Sequence, residues 1–168
     1  MTIKVGDRLP EGKLAEFIET ATEGCSLGPN TFSVSDLTKG KKIAVFGLPG
    51  AFTPTCSAKH VPGYVALADQ FAAKGVSEIW CISVNDAFVM GAWGREQKAT
   101  GVVRMMADGN ADFSKALGLD ADFSAHGMGT RSKRYSMLVE DGVVTQLNLE
   151  QGGAFEVSNA ETLLAQLG

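Results

Sequence analysis

The sequence of 168 residues predicts an α/β fold, a β-sheet flanked by helices, with residues 1–168 forming a single domain. Short apolar runs of strand length alternate with segments whose apolar residues have helical spacing. Asp141-Gly142 joins two alternating segments and is the strongest hairpin signal in the chain. The composition, 45% apolar and 20% charged, is typical of a globular domain. No repeat or linker-like segment divides it.

The first half of the chain predicts two strand–helix units. Residues 41–47 form a short apolar run after a basic pair, and residues 56–73 carry apolar side chains at helical spacing. Residues 78–84 predict a second buried strand. Asn85-Asp86 can cap a helix that includes residues 88–93, whose large side chains we expect in the core, with an interface as the alternative.

The second half predicts a third unit and a hairpin. Residues 102–106 predict a strand, and residues 111–117 a short helix stopped by Gly118. The remaining predicted elements are two alternating strands at 135–140 and 143–149 and an amphipathic helix at 160–167. The expected result is a sheet with a hairpin at one edge.

Charge, hydropathy and cysteine content limit the partners and the cell compartment that we expect for the protein. The formal net charge of −4 argues against a nucleic-acid partner, and the apolar runs are too short for a membrane span. Residues 1–7 contain no apolar stretch of signal-peptide length, so we expect a cytoplasmic location. Cys25, Cys56 and Cys81 are an odd number of cysteines without a short repeated spacing, which fits a reduced compartment.

The candidate chemistry lies at residues 48–57, where the first predicted strand leads into its helix. Pro54 suits the first helical position, and Thr53 before it is a natural N-cap. Cys56 then lies in the first turn, where free N–H groups and the positive end of the helix dipole favour the thiolate. The same N–H groups can hold a peroxide oxygen, and the Thr53 hydroxyl can bridge sulfur and substrate.

A cysteine at the start of a helix is also often only a small buried hydrophobic residue. A second feature favours chemistry, because residues 53–56 have the frame of a redox C-x-x-C motif with its first cysteine replaced by Thr53. Such a site cannot close a local disulfide. Attack on an external electrophile needs one thiolate, whereas dithiol exchange needs two, so peroxide reduction fits better.

Pro49, Thr53 and Cys56 form the pattern Pro-x-x-x-Thr-x-x-Cys within residues 46–63. In this segment the chain resembles the peroxiredoxins, in particular the plant type II enzymes and their animal and bacterial relatives. The resemblance implies a thioredoxin-like fold, with a central mixed β-sheet, flanking helices and β-hairpins, often as a homodimer. It also implies reduction of hydrogen peroxide, alkyl hydroperoxides and peroxynitrite without a metal or organic cofactor. Supporting segments lie at 81–89, 92–94, 133–137 and 147–155.

The resemblance also implies residue roles. Cys56 matches the peroxidatic cysteine, Thr53 the hydroxyl beside it, and Pro49 the proline that shields the pocket. Backbone N–H groups of Thr55 and Cys56 would stabilise the leaving oxygen.

Arg134 matches the active-site arginine of the family, on the context of residues 133–137. A guanidinium near the sulfur would stabilise the thiolate and hold the peroxide oxygens. Arg131 is the nearby alternative, and taken alone either arginine fits a solvated loop charge.

The oxidised Cys56, a sulfenic acid, needs a second thiol for reduction. Residues 155–158, where the animal enzymes place a resolving cysteine, contain none. Cys81 matches a position proposed as resolving in the plant type, but it lies in an apolar strand where a structural role fits as well. We therefore expect glutathione with glutaredoxin, or thioredoxin, as the reductant. Cys25, in a predicted loop, is interpreted as an incidental thiol.

Other candidate sites are weaker. His60 follows Cys56 by four residues on the same helical face, which raises a Cys–His hydrolase, but no oxyanion or orienting group is indicated for it. We expect His60 to pack near the pocket or to tune its charge. His126 makes no recognised metal spacing with the cysteines, and residues 127–130 lack the features of a phosphate-binding loop.

Three functions follow from these residues. The first is a peroxidase. The second is a peroxide sensor or chaperone that uses the same oxidised Cys56, and the third is a thioredoxin-like binding module without turnover.

Overall fold

A seven-stranded β-sheet forms the centre of the computed structural model, which describes residues 2–23 and 25–168. The strands are β1 (Lys13–Ile18), β2 (Gly28–Ser33), β3 (Lys42–Leu48), β4 (Glu78–Ser83), β5 (Arg104–Ala107), β6 (Asp120–Asp122), β7 (Thr130–Ser132), β8 (Tyr135–Glu140) and β9 (Val143–Leu149). Strands β6 and β7 form a separate antiparallel pair, and the others form the sheet in the order β2-β1-β5-β4-β3-β8-β9.

The sheet is mixed, as predicted. Strands β3, β4 and β5 run parallel at its centre, because a helix connects each to the next. Strand β8 lies antiparallel to β3, and the β8–β9 hairpin closes that edge. The antiparallel pair β1–β2 forms the opposite edge beside β5. The α/β fold with an edge hairpin is therefore confirmed.

Helices cover both faces of the sheet. They are α1 (Val34–Thr38), α2 (Val61–Ala73), α3 (Ala87–Glu96), α4 (Asp112–Leu117) and α5 (Ala160–Ala165), with a π-helical turn at Cys56–His60 and a 3₁₀ turn at Ser124–His126. Since successive strand side chains point to opposite faces, Phe46 packs in the core under α2, α3 and α5, and Val45 packs in the core with α1 and α4. Within the described ranges, no helix has the length and apolar character needed to cross a bilayer.

Strands β1 and β2 were not predicted from the sequence. Strand β2 opens with Gly28-Pro29, a pair typical of turns, and most of its side chains are only half-buried. An edge pair with weak alternation gives little periodic signal. These two strands are specified by their pairing with each other and with β5.

The third predicted strand begins two residues later than expected. The backbone N–H groups of Val102 and Val103 both donate to the Ala99 carbonyl, which forms a turn and leaves Arg104 as the first strand residue. The following helix ends as predicted, where Gly118 adopts a left-handed conformation with φ of 72°.

The predicted hairpin turn has the backbone that its residues favour. Asp141 and Gly142 both have positive φ, 49° and 81°, as a type I′ turn requires. The Asp141 carboxylate also accepts a hydrogen bond from the Gly40 N–H at 2.7 Å, which ties the turn to the start of β3.

We expect Gly47→Ala to lower the free energy of unfolding by about 1–3 kcal/mol, because it overpacks the core. Gly47 pairs with Tyr135 across β3 and β8, and a Cβ there would lie 2.2 Å from the Tyr135 ring. Urea denaturation measures the loss. Gly153→Ala is the control, since its added Cβ meets nothing within 4 Å, and it should stay within about 0.5 kcal/mol of wild type. Equal stabilities for the two variants would contradict this prediction.

Candidate active site

The candidate site begins where β3 ends and the chain turns into a helix. Helical backbone starts at Pro54, and the Ser57 N–H donates to the Thr53 carbonyl at 2.9 Å, so Cys56 lies in the first turn as predicted. The predicted side-chain cap is wrong, because the Thr53 hydroxyl donates back to the Gly50 carbonyl at 2.7 Å. The free N–H groups of this turn are therefore not occupied by the Thr53 side chain.

The helix that carries Cys56 is not regular throughout. Cys56–His60 form a π-helical turn, closed by a hydrogen bond from the Val61 N–H to the Cys56 carbonyl, and α2 follows. Single π turns of this kind occur frequently at functional sites. Cys56 and His60 are both fully buried.

Arg134 contacts the Cys56 sulfur. It directly precedes β8, and its Nη2 donates to Cys56 Sγ at 3.0 Å, although the two residues are 78 positions apart. Its Nη1 lies 2.8 Å from Nδ1 of His60. A guanidinium at this distance offers charge-assisted hydrogen bonds to an acceptor.

His60 lies on the other side of the guanidinium. Its Nε2 is 3.0 Å from the Ser158 carbonyl, and the rings of Phe46 and Phe155 pack against it. Burial, together with the charge of Arg134, lowers the pKa of His60 from 6.5 to about 3. The ring is thus uncharged at neutral pH. Its Nδ1 contacts Arg134 rather than the sulfur, so the Cys–His hydrolase arrangement is not formed.

Glu150, which follows β9, holds the segment beyond it. Its carboxylate accepts hydrogen bonds from three consecutive main-chain N–H groups, at 156–158, and from the Ser158 hydroxyl at 2.6 Å. Burial raises the pKa of Glu150, but these hydrogen bonds outweigh it and the net pKa is lowered. The Glu150 N–H also donates to the Arg134 carbonyl at 3.0 Å. The sequence did not predict these hydrogen bonds of Glu150, because the residue was included only as part of segment 147–155, which supports the family resemblance.

A pocket of about 740 Å³ opens beside these residues. Of the predicted site residues, Pro49, Thr53, Thr55 and Arg134 line it, whereas Cys56 and Cys81 do not. The rest of its lining combines apolar and polar groups: Pro54, Ala121, Phe123, His126, Met128, Lys133, Leu149, Glu150, Gln151, Gly152 and Gly153. Arg134 both lines the pocket and contacts the buried sulfur of Cys56, which links the two.

The other two cysteines have different surroundings. Cys81 lies in β4 between Phe46 of β3 and Met105 of β5, is fully buried, and forms no disulfide. Burial, together with the charge of Cys56, raises its pKa well above the ordinary value, so Cys81 is a neutral thiol. Cys25 is half-buried and pairs with Thr22 in an isolated bridge outside the named strands.

The remaining candidates have structural positions. Arg131 is not a solvated charge, because it donates to the carbonyls of Met128 and Val84. Trp93 is buried as expected and donates to the Ser57 hydroxyl at 3.0 Å, whereas Phe88 is 65% exposed. Among residues 2–23 and 25–168, no cluster of His, Cys, Asp or Glu side chains could hold a metal ion.

Fold and site together define a class of protein. The helix that follows β3 carries the buried Cys56 in its first turn, and the sulfur of Cys56 accepts a hydrogen bond from a guanidinium that also lines an open pocket. Thr53 occupies the place that a second cysteine would need for dithiol exchange. These features define a thiol-dependent peroxidase.

Comparisons with known proteins agree with this class. The model of the redoxin family matches residues 4–164. The chain is 48% identical to chloroplastic peroxiredoxin-2E of Arabidopsis thaliana, covering 99% of this chain and 70% of that protein. It is 46% identical to peroxiredoxin-2B of the same plant, covering 98% of each.

Solved structures show the same relationship. Reduced Prx3 of Vibrio vulnificus in complex with H₂O₂ superposes with a TM-score of 0.91 at 50% identity, covering 99% of this chain and 100% of that one. A Burkholderia cenocepacia protein, described as a candidate thioredoxin reductase, gives 0.99 at 61% identity, covering 100% and 99%. The chain belongs to the peroxiredoxin family and is related to its plant type II members.

The low pKa of His60 makes the stability of the protein depend on pH. Between pH 6.5, the pKa of His60 in the unfolded chain, and about pH 3, its pKa in the folded chain, the unfolded chain binds a proton on His60 and the folded chain does not. The contribution of His60 to the free energy of unfolding is therefore fully present above pH 6.5 and is lost as the pH falls toward 3. We expect His60 to lower the free energy of unfolding by about 2 kcal/mol between pH 7 and pH 5, measured by urea denaturation. His60→Leu should remove this slope and His126→Gln, at an exposed position, should keep it. An unchanged slope in His60→Leu would assign the effect to other groups.

Proposed function

We propose that this peroxiredoxin reduces hydrogen peroxide and alkyl hydroperoxides with the Cys56 thiolate as the nucleophile. The observation that carries the proposal is the 3.0 Å contact between Arg134 Nη2 and Cys56 Sγ. A permanent cation at hydrogen-bond distance stabilises a thiolate relative to a thiol. The planar guanidinium also has N–H groups left to hold a peroxide oxygen in line with the sulfur.

The reaction is a displacement on the O–O bond. The sulfur attacks the terminal oxygen of the hydroperoxide, an S–O bond forms, and the O–O bond breaks. The other oxygen leaves as alkoxide or hydroxide and takes up a proton to give alcohol or water. Cys56 is oxidised to the sulfenic acid. The developing charge on the leaving oxygen is stabilised by Arg134 and by the N–H groups of Thr55 and Cys56.

Thr53 and Pro49 have supporting roles in this proposal. The Thr53 hydroxyl donates its hydrogen bond to the Gly50 carbonyl, so its oxygen is left as an acceptor for the O–H of a hydroperoxide. Pro49 lines the same pocket and contributes an apolar wall that excludes water. Phe123, Met128 and Leu149 extend the apolar lining, which favours alkyl hydroperoxides as well as hydrogen peroxide.

Reduction of the sulfenic acid is assigned to an external thiol. Glutathione with glutaredoxin, or thioredoxin, would supply it: one thiol condenses with the sulfenic acid, releasing water, and a second thiol reduces the resulting disulfide. Cys81 is an unfavourable partner, because it is buried within the central strand β4 and its raised pKa keeps it protonated. A disulfide between Cys81 and Cys56 would require local opening of the fold.

The assembly proposed for the protein is a homodimer. Phe52 and Phe88 are 53% and 65% exposed, and their rings lie 6.3 Å from Trp93 and 5.9 Å from Phe17. Large exposed aromatic side chains of this kind are typical of contact surfaces between proteins.

A second candidate function is a peroxide sensor or chaperone that uses the same oxidised Cys56. The burial of Cys56 favours it, because oxidation of a buried sulfur changes packing in the core. Catalytic turnover with a reductant distinguishes an enzyme from a sensor that is oxidised once.

We expect Cys56→Ser to abolish consumption of hydrogen peroxide and of an organic hydroperoxide, because the alcohol is not ionised at neutral pH. Steady-state assays with glutathione and glutaredoxin, and separately with thioredoxin, measure the loss. Cys25→Ser is the matched control and should keep wild-type turnover. Full activity in Cys56→Ser would exclude Cys56 as the peroxide-reactive residue of both the peroxidase and the sensor, whereas a wild-type protein that consumes no peroxide would favour the binding module.

We expect Cys81→Ser to keep most of the turnover with glutathione and glutaredoxin, because Cys81 is protonated and buried. The same steady-state assay measures it, with circular dichroism to check that the more polar hydroxyl has not disturbed β4. Loss of turnover in a folded Cys81→Ser protein would instead make Cys81 the resolving cysteine.

We expect Arg134→Lys to lower the second-order rate constant for oxidation of Cys56 by about 100-fold, because an ammonium lacks the planar fork of donors. Stopped-flow fluorescence measures the rate, with Trp93 close to the site as the reporter. Arg131→Lys is the control, since the hydrogen bonds that Arg131 donates within residues 2–23 and 25–168 go to backbone carbonyls, and its rate should stay within about threefold of wild type. Equal effects of the two changes would remove the special role of Arg134.

A further inference from the structure

His60 and Arg134 form an unusual pair. A guanidinium near the protein interior generally has a carboxylate as its acceptor, because two opposite charges compensate each other's desolvation. Here the acceptor for Nη1 of Arg134 is Nδ1 of His60, at 2.8 Å. Within the described residues, Arg134 forms no ion pair with a carboxylate.

The surroundings of His60 define which of its nitrogens carries the proton. Arg134 has only donors, so Nδ1 must be the unprotonated nitrogen. The Ser158 carbonyl, 3.0 Å from Nε2, has only lone pairs, so Nε2 must carry the proton. The two contacts therefore require the same neutral form of the ring.

The Ser158 carbonyl is itself fixed in place. Tyr64 also donates to it, at 2.9 Å. The Glu150 carboxylate holds the N–H and hydroxyl groups of Ser158, and the Glu150 N–H donates to the Arg134 carbonyl. The hydrogen bonds thus form a closed circuit that runs from the Arg134 main chain through Glu150, Ser158 and His60 to the Arg134 side chain.

The circuit leaves the charge of the guanidinium intact. Burial and the charge of Arg134 keep the pKa of His60 at about 3, so the ring is neutral. Glu150, the carboxylate in the circuit, accepts hydrogen bonds from four donors at residues 156–158. The full positive charge of Arg134 is then available to Cys56 and to a bound peroxide.

We propose that His60 is a positioning residue for peroxide reduction: its Nδ1 lone pair orients the Arg134 guanidinium against the Cys56 sulfur without neutralising it. This role rests on the peroxidase function proposed above. His60 does not contact the substrate, and it acts through the orientation of Arg134.

The test compares two substitutions that differ in one property. Asn and Leu have nearly the same branched shape, but His60→Asn offers an oxygen acceptor at the place of Nδ1, whereas His60→Leu offers none. Tyr64 still satisfies the Ser158 carbonyl in both variants. We expect His60→Leu to lower the second-order rate constant for Cys56 oxidation by hydrogen peroxide at least about tenfold, and His60→Asn to stay within about threefold of wild type.

Tyr64→Phe is the matched control for stability. It removes the other hydrogen bond to the Ser158 carbonyl without touching Arg134, and its rate should stay within about twofold of wild type. Stopped-flow rates are compared together with melting temperatures. Equal rates for His60→Asn and His60→Leu, whether both fast or both slow, would overturn the proposal, because the acceptor would then have no effect.

A measurement on the unmodified protein covers the case in which the variants do not fold. Long-range ¹H–¹⁵N correlation spectra show which ring nitrogen is protonated, and comparison with His126→Gln assigns the signals, since the chain has 2 histidines. We expect a proton on Nε2 and none on Nδ1 of His60 at pH 7. A proton on Nδ1 would overturn the proposal whatever the activity. Absence of peroxide turnover in the wild type, with the expected ring form, would instead contradict only the peroxidase function.

Discussion

The contact between Arg134 and the Cys56 sulfur is the constraint on which the site depends, and the sheet makes it possible. Strand β3 leads into the helix that carries Cys56, and β8 begins one residue after Arg134. Because the two strands are antiparallel neighbours with Gly47 opposite Tyr135, the last residues of β3 and the first residues of β8 lie side by side at the same end of the strands. Gly47 leaves the space that the Tyr135 ring fills.

Keeping a guanidinium half-buried beside a buried sulfur costs solvation free energy, and the fold offsets that cost with hydrogen bonds. Arg134 donates to Cys56 and His60, and its carbonyl accepts from Glu150. Glu150 in turn organises residues 156–158, so the segment between β9 and α5 is tied to the same arginine. The geometry of the site and the packing of the C-terminal part of the chain are therefore coupled.

Two buried cysteines, Cys56 and Cys81, have opposite surroundings in the same fold. Cys56 has a cation in contact and a pocket beside it, whereas Cys81, in the neighbouring strand, is fully buried in the hydrophobic core and has a raised pKa. Reactivity thus follows from position and not from residue type. The proposed dependence on an external thiol has the same origin, because the second buried sulfur lies within the sheet and not on a mobile segment.

The central strands, the edge hairpin with its Asp141-Gly142 turn, and the position of Cys56 in the first turn of a helix were predictable from the amino-acid pattern, because each is specified locally. The resemblance added Arg134. The existence of strands β1 and β2, the hydrogen bond from the Thr53 hydroxyl to Gly50, and the contacts of Glu150 and His60 with Arg134 became visible in the folded chain. These features join residues far apart in the chain or depend on weak local preferences, and hydropathy periodicity carries no information about such contacts.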